Sequence, residues 1–386
     1  MRIIQFSDSF LPIMDGVGNV VYQYALNLGL RGHESYVVAP QTDTGYRGNF
    51  PFEIVDYTGV PLPLLKSYKV GAPALDAHCR RRLAAIEADI VHVHSPFTAG
   101  QAGVLYAQKR GCPIVGTFHS KYFDDFLQIT GVELLAEVGV KYVVSFYNKC
   151  DEVWAVSAAS AQTLRGYGYE GPIRVMPNGT DIHALDDETA RAAWKRFGLT
   201  DIDVPVLLYV GQINWKKNLR QILEACAKLE TPFRLVMAGQ GPHEREVREL
   251  AVTLGIGGCV QFTGHLQDTD ALNALYRRAD LFLFPSLYDT SSLVVREAAA
   301  MGTPAVVARG SCAAEGIEDG ENGFLCRDDP EDLARAVEAA LSDPEGLARV
   351  GERARETIPI PWARLMDGVL DIYGQLIQTR NHNEEQ

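Results

Sequence analysis

Residues 284–304 read FPSLYDTSSLVVREAAAMGTP, and this stretch has the layout of a strand, a polar turn and a helix. Gly302 with Pro304 behind it is a typical helix end. Residues 290–292, Thr-Ser-Ser, are of types that commonly cap the start of a helix. A helix that begins directly after a strand offers free backbone N–H groups, and its dipole favours an anion such as a diphosphate there.

The same alternation of short apolar runs and longer helical patterns extends outward over nearly the whole chain of 386 residues. Continuous apolar runs separated by helices indicate βαβ units with a parallel sheet covered on both faces. One series predicts strands at residues 3–7, 35–39, 90–94, 114–118, 153–156 and 173–176. A second series predicts strands at residues 206–210, 234–238, 260–263, 281–284, 305–307 and 323–325. The length and the two series together predict an α/β protein with two doubly wound units.

A run of turn-forming residues, PNGTD at positions 177–181, separates the two series and predicts a domain boundary. We expect an N-terminal Rossmann-like domain at residues 1–181 and a C-terminal one at residues 182–359, facing each other across a cleft. A helix at residues 360–378 is expected to pack back on the first domain. Ligands of open α/β sheets bind at the carboxyl ends of strands, so the functional residues should follow strands.

Charge and composition restrict the partners and the cellular location that the sequence allows. The net charge of -13 argues against nucleic acid, which is bound through clustered Lys and Arg. Seven cysteines without a CxxC pair indicate reduced thiols. The first residues enter a strand without a signal-peptide pattern, and no apolar run reaches about 18 residues. We expect a cytoplasmic protein. Peripheral contact with the inner membrane face stays open as a further option, and residues 80–82 or 138–146 would make that contact.

Two carboxylates of the first stretch, Asp289 and Glu297, lie eight positions apart. They are placed to hold different hydroxyls of one extended ligand; the alternative is a cap residue and a surface glutamate. The stretch resembles the Glu-x7-Glu region of the family-4 retaining glycosyltransferases. The fold of that family, called GT-B, contains two Rossmann-like domains, and the resemblance covers nearly the whole chain.

The resemblance implies roles for these residues. Glu297 would bind the ribose hydroxyls of a nucleotide, and Asp289 would contact the transferred sugar. The turn and helix start would give backbone donors to the sugar and phosphate, from Ser291, Ser292, Leu293 and Val294. Relatives usually carry Glu-Gly-Phe-Gly where this chain has Asp-Thr-Ser-Ser at residues 289–292. Because aspartate is one methylene shorter, a loss of roughly 1.5 Å in reach, we expect a differently shaped sugar pocket.

Residues 209–218 read YVGQINWKKN and resemble the diphosphate-binding loop of the family. Relatives usually have arginine at the position of Gln212 and lysine at that of Lys217, both contacting the diphosphate. A neutral amide donates a hydrogen bond but cannot neutralise charge on the leaving group. Half of this positive charge is therefore missing, and Lys216 and Arg296 are the candidates to replace it. On spacing alone, the two lysines indicate a solvated helix start.

Four further loops fit the resemblance, and each is a weak signal alone. A Gly-x-Gly-Pro turn after residues 234–238 lets a nucleotide approach the backbone, and a loop after residues 260–263 would flank the base. A loop after residues 114–118 would bring a histidine to the donor sugar, while residues 10–18 would lie near the acceptor and phosphates. These loops supply the remaining candidates: Gly239, Gly241, His265, Leu266, His119 and Gly16. The catalytic candidates are Lys217, Asp289 and His119. Without the resemblance, His119 would be interpreted as a polar residue whose hydrogen bonds are satisfied within the protein.

A metal site is not expected. His92 and His94 alternate along one strand and face one side of it, near His119. Neither a carboxylate nor a cysteine joins them at ligand spacing, so a satisfied strand end is the better interpretation. The resemblance also implies metal-independent chemistry, since Lys217 and a helix terminus would replace the cation at the diphosphate.

The sequence therefore predicts retaining transfer of a hexose from a nucleotide diphosphate sugar to an acceptor hydroxyl on a glycan or glycolipid. UDP-glucose is the working choice of donor, no separate cofactor is expected, and the acceptor is a sugar or a lipid-linked molecule. Two alternatives stay open. One is a GT-B sugar-nucleotide epimerase or hydrolase. The other is a catalytically silent nucleotide-sugar-binding or scaffolding protein, an option that the departures at Gln212 and Asp289 keep open.

Overall fold

The computed structural model describes residues 1–12, 15–42, 44, 46, 48–61, 69–181, 184–200 and 202–384. The chain forms two compact units, Met1–Asn178 with Trp362–Gln386, and Gly179–Pro361. They are called here the N-terminal unit and the C-terminal unit. Ile13 and Met14, in the candidate loop at residues 10–18, lie outside the described residues. Ile182, the first residue of the predicted second domain, lies outside them as well.

The N-terminal unit is built around a seven-stranded parallel sheet with the order β3-β2-β1-β6-β7-β8-β9. A separate antiparallel pair, β4 with β5, lies outside this sheet. The strands are β1 (Arg2–Phe6), β2 (Glu34–Ala39), β3 (Glu53–Asp56), β4 (Gly59–Pro61), β5 (Lys69–Gly71), β6 (Ile90–Val93), β7 (Ile114–Phe118), β8 (Glu152–Ala155) and β9 (Ile173–Val175). The helices are α1 (Gly16–Leu30), α2 (Ala77–Ala85), α3 (Thr98–Arg110), α4 (Tyr122–Thr130), α5 (Glu133–Tyr147) and α6 (Ala158–Gly166).

The C-terminal unit has a six-stranded parallel sheet with the order β12-β11-β10-β13-β14-β15. Its strands are β10 (Val206–Val210), β11 (Arg234–Ala238), β12 (Val260–Gly264), β13 (Leu281–Phe284), β14 (Ala305–Ala308) and β15 (Phe324–Cys326). Its helices are α7 (Asp187–Arg196), α8 (Leu219–Cys226), α9 (Glu244–Thr253), α10 (Thr269–Arg278), α11 (Leu293–Ala300), α12 (Pro330–Leu341) and α13 (Pro344–Thr357). Short 3₁₀ helices at Trp215–Lys217 and Cys312–Ala314 complete the unit.

Both sheets show why their strands were readable from the sequence. Strands β6, β7, β10 and β13 are buried along their whole length, so they appear as continuous apolar runs. In each unit the first three strands run outward in one direction and the following strands in the other. The C-terminal sheet has the 3-2-1-4-5-6 order of doubly wound folds, and the N-terminal sheet extends the same order by one strand; the predicted fold class is confirmed.

The last helix, α14 (Trp362–Glu384), belongs to the N-terminal unit. It buries one apolar face there, made of Trp362, Leu365, Met366, Val369 and Tyr373. The prediction that the helix ends near residue 378 is wrong, because the helix continues to Glu384. Arg380 holds this last part in place: its Nε donates to the carbonyl oxygen of Gly111 at 2.9 Å.

One helix of the N-terminal unit, α5, carries the apolar stretch at residues 138–146. Its inner face is buried through Val140, Val143 and Phe146, while Val138 and Tyr142 are exposed. Over the part of the chain that the structure describes, every helix is too short or too polar to cross a bilayer.

Candidate active site

The strand order of the C-terminal unit reverses between β10 and β13, where open α/β sheets bind their ligands. The loops after these two strands carry Lys217 and Asp289. The Nζ of Lys217 donates to Oδ1 of Asp289, and the hydroxyl of Ser286 donates to Oδ2 at 2.5 Å. The side chains of Lys217 and Asp289 are only 16% and 17% exposed. A shielded ion pair therefore joins the two loops at the switch point.

The loop after β10 is held rigidly by its own polar side chains. Asn214 caps the 3₁₀ turn, since its Oδ1 accepts from the backbone N–H of Lys216 at 3.2 Å. Asn218 ends the turn in the left-handed region with φ of 59°, which asparagine tolerates better than most residues. Its Nδ2 donates to the carbonyl oxygen of Pro285 at 3.2 Å, at the end of β13. This bond ties the lysine-bearing turn to the second loop.

The positive charge of the site comes from the 3₁₀ turn. The Nζ atoms of Lys216 and Lys217 lie 4.5 Å and 5.4 Å from the ring centroid of Tyr288. Gln212, which the resemblance places at the diphosphate, is exposed, and its Oε1 lies 3.4 Å from Nδ2 of Asn214. Two ammonium groups thus lie over one aromatic ring, and the side chain at residue 212 contributes no charge.

The ends of β10, β11 and β12 are joined through glycines. Gly211 donates to the carbonyl oxygen of Ala238 at 3.0 Å, and Gly239 donates to that of Gly264 at 2.9 Å. A Cβ at Gly239 would lie 1.9 Å from the carbonyl oxygen of Gly211, and one at Gly241 would lie 2.3 Å from that of Ile213. Only glycine allows this close approach of the two backbone segments.

His265 and Leu266 follow the glycine that ends β12. His265 is exposed, whereas Leu266 is partly buried against the core of the C-terminal unit. Both residues thus lie at the same carboxyl edge of the sheet as the glycines.

Glu297 lies on α11 and is partly buried. Burial raises the pKa of its carboxyl group and the nearby charge of Asp181 adds to the rise, while a hydrogen bond from Tyr276 opposes it. The hydroxyl of Tyr276 donates to Oε2 at 2.9 Å. Tyr276 therefore keeps in place a carboxylate that burial alone would tend to neutralise.

The N-terminus of α11 differs from the expected cap. Ser292 precedes the first helical residue, but its side chain makes no capping bond. Its backbone, with φ of -91° and ψ of 76°, departs from the extended conformation that brings a cap oxygen over the helix N–H groups. The hydroxyl is instead buried, and it has no hydrogen-bond partner among the described residues. The capping prediction is wrong for this side chain, and the helix start keeps a polar group without a partner.

In the N-terminal unit, three histidines meet at the carboxyl edge of the sheet. The ring centroids of His92 and His94 are 4.0 Å apart, and Nδ1 of His94 lies 3.1 Å from Nε2 of His119. Nε2 of His94 lies 3.1 Å from Oε1 of Gln5. Burial lowers the pKa of all three, that of His119 to about 3. At neutral pH His119 is therefore an uncharged hydrogen-bonding group.

His92 is satisfied on both nitrogens, as the sequence predicted for a strand end. Nδ1 shares a hydrogen bond of 2.6 Å with the hydroxyl of Tyr373 on α14, and Nε2 shares one of 2.6 Å with the hydroxyl of Thr117. Within the described ranges, no group of three or more His, Cys, Asp or Glu side chains is arranged to hold a metal ion.

Gly16 is the first residue of α1. The N-cap residue, Asp15, accepts from the backbone N–H of Gly18 at 2.6 Å and from the hydroxyl of Ser9 at 2.5 Å. A Cβ at Gly16 would meet no other atom within 4 Å. Packing within the unit therefore does not require a glycine at this position, and a carboxylate already lies at this helix start.

Comparison with known proteins agrees with this architecture. The model described as Glycosyltransferase Family 4 matches residues 14–184, and the one described as Glycosyl transferases group 1 matches residues 191–357. The D-inositol 3-phosphate glycosyltransferase 2 of Catenulispora acidiphila is 31% identical over 309 residues, which cover 75% of this chain and 71% of that protein. The chain belongs to glycosyltransferase family 4.

Other similar proteins are synthases and glycosyltransferases by name. The alpha-monoglucosyldiacylglycerol synthase of Streptococcus pneumoniae is 28% identical over 360 residues, covering 89% of this glycosyltransferase and 79% of the relative. The GDP-mannose-dependent alpha-mannosyltransferase of Corynebacterium glutamicum is 27% identical over 392 residues, covering 98% and 89%. The sucrose-phosphate synthase from Thermosynechococcus elongatus has a TM-score of 0.83 at 22% identity, over 98% of this chain and 99% of that one. The predicted family is confirmed, and the fold is GT-B.

Most candidate residues of this glycosyltransferase lie together at the carboxyl edge of the C-terminal sheet. They are Gln212, Lys217, Gly239, Gly241, His265, Leu266, Asp289, Ser291, Ser292, Leu293, Val294 and Glu297. His119 and Gly16 lie at the carboxyl edge of the N-terminal sheet. Sequence reasoning missed Tyr276, Ser286 and Tyr288. Ser286 and Tyr288 come three residues and one residue before Asp289, whereas Tyr276 comes from another helix and no pattern indicates its contact with Glu297.

Proposed function

We propose that this glycosyltransferase transfers a hexose from a nucleotide diphosphate sugar to an acceptor hydroxyl, with retention of the anomeric configuration. The observation that supports this most is the ion pair of Lys217 and Asp289 at the switch point of the C-terminal sheet. It combines a cation suited to a phosphate with a carboxylate suited to a sugar hydroxyl. The N-terminus of α11 follows directly on the same loop.

The nucleotide is proposed to bind over the glycine-lined strand ends. Gly239 and Gly241 carry no side chains to obstruct it, and His265 with Leu266 would flank the base. Glu297 would accept hydrogen bonds from the ribose hydroxyls. Its carboxylate is prepared for this because the hydroxyl of Tyr276 already orients one of its oxygens.

The diphosphate would compete with Asp289 for Lys217. In the structure the ammonium of Lys217 is balanced by this carboxylate, so its charge becomes available when Asp289 turns to the hydroxyls of the sugar. Backbone N–H groups at residues 291–294 and the dipole of α11 would stabilise the charge that develops as the diphosphate departs. The reaction is proposed to be metal-independent because these groups supply positive charge at the leaving group.

His119 and Gly16 are proposed to act on the sugar and the acceptor. Because the pKa of His119 is lowered to about 3 by burial, His119 would position the donor sugar through hydrogen bonds rather than as a charged acid. Gly16 would leave space for the acceptor or phosphates, since a Cβ there would meet no atom within 4 Å.

The proposed donor is UDP-glucose and the proposed acceptor a hydroxyl on a glycan or glycolipid. The name of the S. pneumoniae relative, a glucosyldiacylglycerol synthase, supports glucose and a lipid acceptor. Exposed apolar side chains of α5, those of Leu134, Leu135 and Val138, support contact with a lipid surface. We propose that the protein works in the cytoplasm, in peripheral contact with the inner membrane face.

A second candidate is a catalytically silent nucleotide-sugar-binding protein. The specific observation in its favour is the exposed, uncharged side chain of Gln212 where relatives carry arginine. Such a protein would bind a nucleotide sugar and release no nucleotide diphosphate.

A donor screen tests the proposal. The protein is incubated with UDP-glucose, UDP-galactose and GDP-mannose, with and without EDTA, in the presence of diacylglycerol vesicles or a soluble glycan, and nucleotide release is followed by NMR. We expect EDTA-insensitive release of one nucleotide diphosphate, its loss in Glu297→Ala, and unchanged release in Glu249→Ala, a control in an exposed pair with Arg245. Saturable binding without release of nucleotide from any donor would favour the silent protein, and absence of binding would refute the proposed site.

A further inference from the structure

The diphosphate of a nucleotide sugar carries more than one negative charge, and one lysine balances only part of it. Lys217 is moreover already paired with Asp289. The side chain of Gln212 is exposed and uncharged. If the proposed function holds, a further cation is needed near Lys217, because charge developing on a departing diphosphate is stabilised best by fixed positive groups.

Lys216 is the cation that the structure brings to this place. Its Nζ lies 4.5 Å from the ring centroid of Tyr288, and the Nζ of Lys217 lies 5.4 Å from the same centroid. An ammonium over an aromatic face is attracted by the ring, which restrains the long lysine side chain. Because Tyr288 immediately precedes Asp289, Lys216 is held against the loop that carries the other half of the site.

The turn that carries Lys216 is anchored on its other side. The indole of Trp215 donates to Oε2 of Glu246 at 2.8 Å, and the guanidinium of Arg220 lies 5.1 Å from the Trp215 ring. Successive residues of a 3₁₀ turn point in directions about 120° apart. Fixing Trp215 toward α9 therefore fixes the direction of Lys216 as well.

The other candidate cation, Arg296, is engaged elsewhere. Its Nη1 donates to the carbonyl oxygen of Ile358, beyond the end of α13, at 3.0 Å. This bond holds the guanidinium at the end of α13, whereas the ammonium of Lys216 is held against Tyr288.

A buried hydroxyl indicates where on this loop a ligand would bind. The side chain of Ser292, at the start of α11, is 7% exposed, and its Oγ has no hydrogen-bond partner among the described residues. Unpaired buried hydroxyls are uncommon, because each loses its hydrogen bonds to water without replacement. A polar ligand at the helix start would supply the missing partner, four residues along the loop from Tyr288.

We propose that Lys216, held over Tyr288, supplies the second positive charge at the diphosphate in place of the arginine that relatives carry at residue 212. Lys216 contacts the phosphate nearer the sugar, and Tyr288 is a positioning residue. This inference rests on the proposed function, because it assumes a nucleotide diphosphate at the switch point.

Binding of UDP compared with UMP tests this role, because only UDP has the second phosphate. The affinities are measured by calorimetry on the full chain, with GDP and GMP as the pair if the protein selects guanine. In Lys216→Met we expect the affinity for UDP to fall about tenfold and that for UMP to change less than about twofold, as for loss of one charge-assisted contact. The control is Lys228→Met, an exposed lysine paired with Glu331 on the surface.

Two further variants separate charge from structure. Tyr288→Leu removes the ring that restrains Lys216 and should lose part of the affinity for UDP while remaining folded by circular dichroism. Adding Gln212→Arg to Lys216→Met should restore the preference for UDP over UMP, because a cation returns to the position used by relatives. A variant that only disturbed the fold would not be rescued in this way.

The outcomes distinguish this inference from the proposed function. If the wild type binds UDP and Lys217→Met weakens that binding, but Lys216→Met does not, the role of Lys216 is refuted and the proposed function stands. Equal losses for UDP and UMP in Lys216→Met would also refute it, since the contact would then not involve the second phosphate. A wild type that binds no nucleotide diphosphate would overturn both.

Discussion

At the scale of single residues, the two carboxylates of the site are controlled by different neighbours. Asp289 is held by an ammonium and a hydroxyl, those of Lys217 and Ser286. For Glu297, burial raises the pKa of the carboxyl group, and the hydrogen bond from Tyr276 opposes the rise. The hydroxyl of Tyr276 therefore favours the ionised form of the Glu297 carboxyl group.

This dependence predicts a pH effect for Tyr276→Phe. The hydrogen bond stabilises the ionised carboxylate, so its removal raises the pKa of Glu297 further. Donor binding that needs the carboxylate is complete above that pKa and is lost as pH falls through it, so the loss should begin at higher pH in the variant. We expect the acid limb of the donor KM profile to move up by about one pH unit, measured between pH 5 and 8.

The control for this prediction is Tyr36→Phe, which removes a hydroxyl that bonds to Glu34 on an exposed surface. Its profile should match that of the wild type. An unchanged profile in Tyr276→Phe, or an acid limb moved to lower pH, would contradict the assignment of Glu297 as the ionised ribose ligand.

The sequence indicates the candidate residues that carry a recognisable pattern but not the side chains that contact them. Asp289, Glu297 and Lys217 were located through spacing and resemblance, and the structure brings them to one edge of one sheet. Tyr276 acts from a separate helix, and Ser292 has a backbone conformation that its residue type does not reveal. Contacts between distant segments and exact dihedral angles depend on tertiary structure, so local sequence does not determine them.

At the scale of elements, the contact between Gly239 and Gly211 should be essential to the C-terminal sheet. Gly239 has φ of 145°, and a Cβ there would lie 1.9 Å from the carbonyl oxygen of Gly211. We expect Gly239→Ala to destabilise the C-terminal unit by roughly 2–4 kcal/mol, because both backbone strain and overlap must be relieved. Urea unfolding measures the change in the free energy of unfolding. Hydrogen exchange of the β10 and β11 amides locates the change in the C-terminal unit.

The matched control is Gly374→Ala on α14, where a Cβ would meet no atom within 4 Å and the backbone is helical. Alanine there should stabilise the protein by about 0.5–1 kcal/mol. Equal stabilities of Gly239→Ala and the wild type would show that the close approach of the two loops is not required.

The last helix provides a second prediction at this scale. Tyr373 of α14 bonds to the buried Nδ1 of His92 at 2.6 Å, so Tyr373→Phe leaves a buried nitrogen without its partner. We expect a loss of about 1–3 kcal/mol in the N-terminal unit alone. Hydrogen exchange should accelerate in β6 and β7 and stay unchanged in β10 to β15, with the exposed Gln375→Ala as control. Faster exchange in both units, or in neither, would contradict this account of α14.

Elements were predictable to the extent that they are buried. Strands such as β7 and β10 were predicted at their observed limits because a strand covered on both faces appears as an uninterrupted apolar run. The edge strand β3, Glu53–Asp56, was missed because its short, partly polar sequence resembles a loop. The end of α14 was misplaced because its final turns are polar and are held by Arg380, a contact with a loop about 270 residues earlier in the chain.

At the scale of the whole molecule, the sequence predicted the GT-B fold and membership of family 4, and both are confirmed. The predicted boundary lies between residues 181 and 182, and the compact units of the structure meet at Asn178 and Gly179. Donor and acceptor are less accessible to such reasoning, because they depend on a few contacts within a shared fold. Gln212 and residues 289–292 depart from the pattern that the family resemblance implies, so tests of donor binding are best directed there.

The anomeric configuration of the product shows whether this glycosyltransferase transfers a hexose with retention. UDP-glucose labelled with ¹³C at the anomeric carbon is incubated with the protein and the acceptor that supports nucleotide release, and the glycoside is examined by NMR. We expect an α-linked product from the α-linked donor, with none formed by Glu297→Ala. A β-linked product would contradict retention, and the absence of transfer from UDP-glucose and from every other nucleotide sugar tested would contradict the enzymatic function itself.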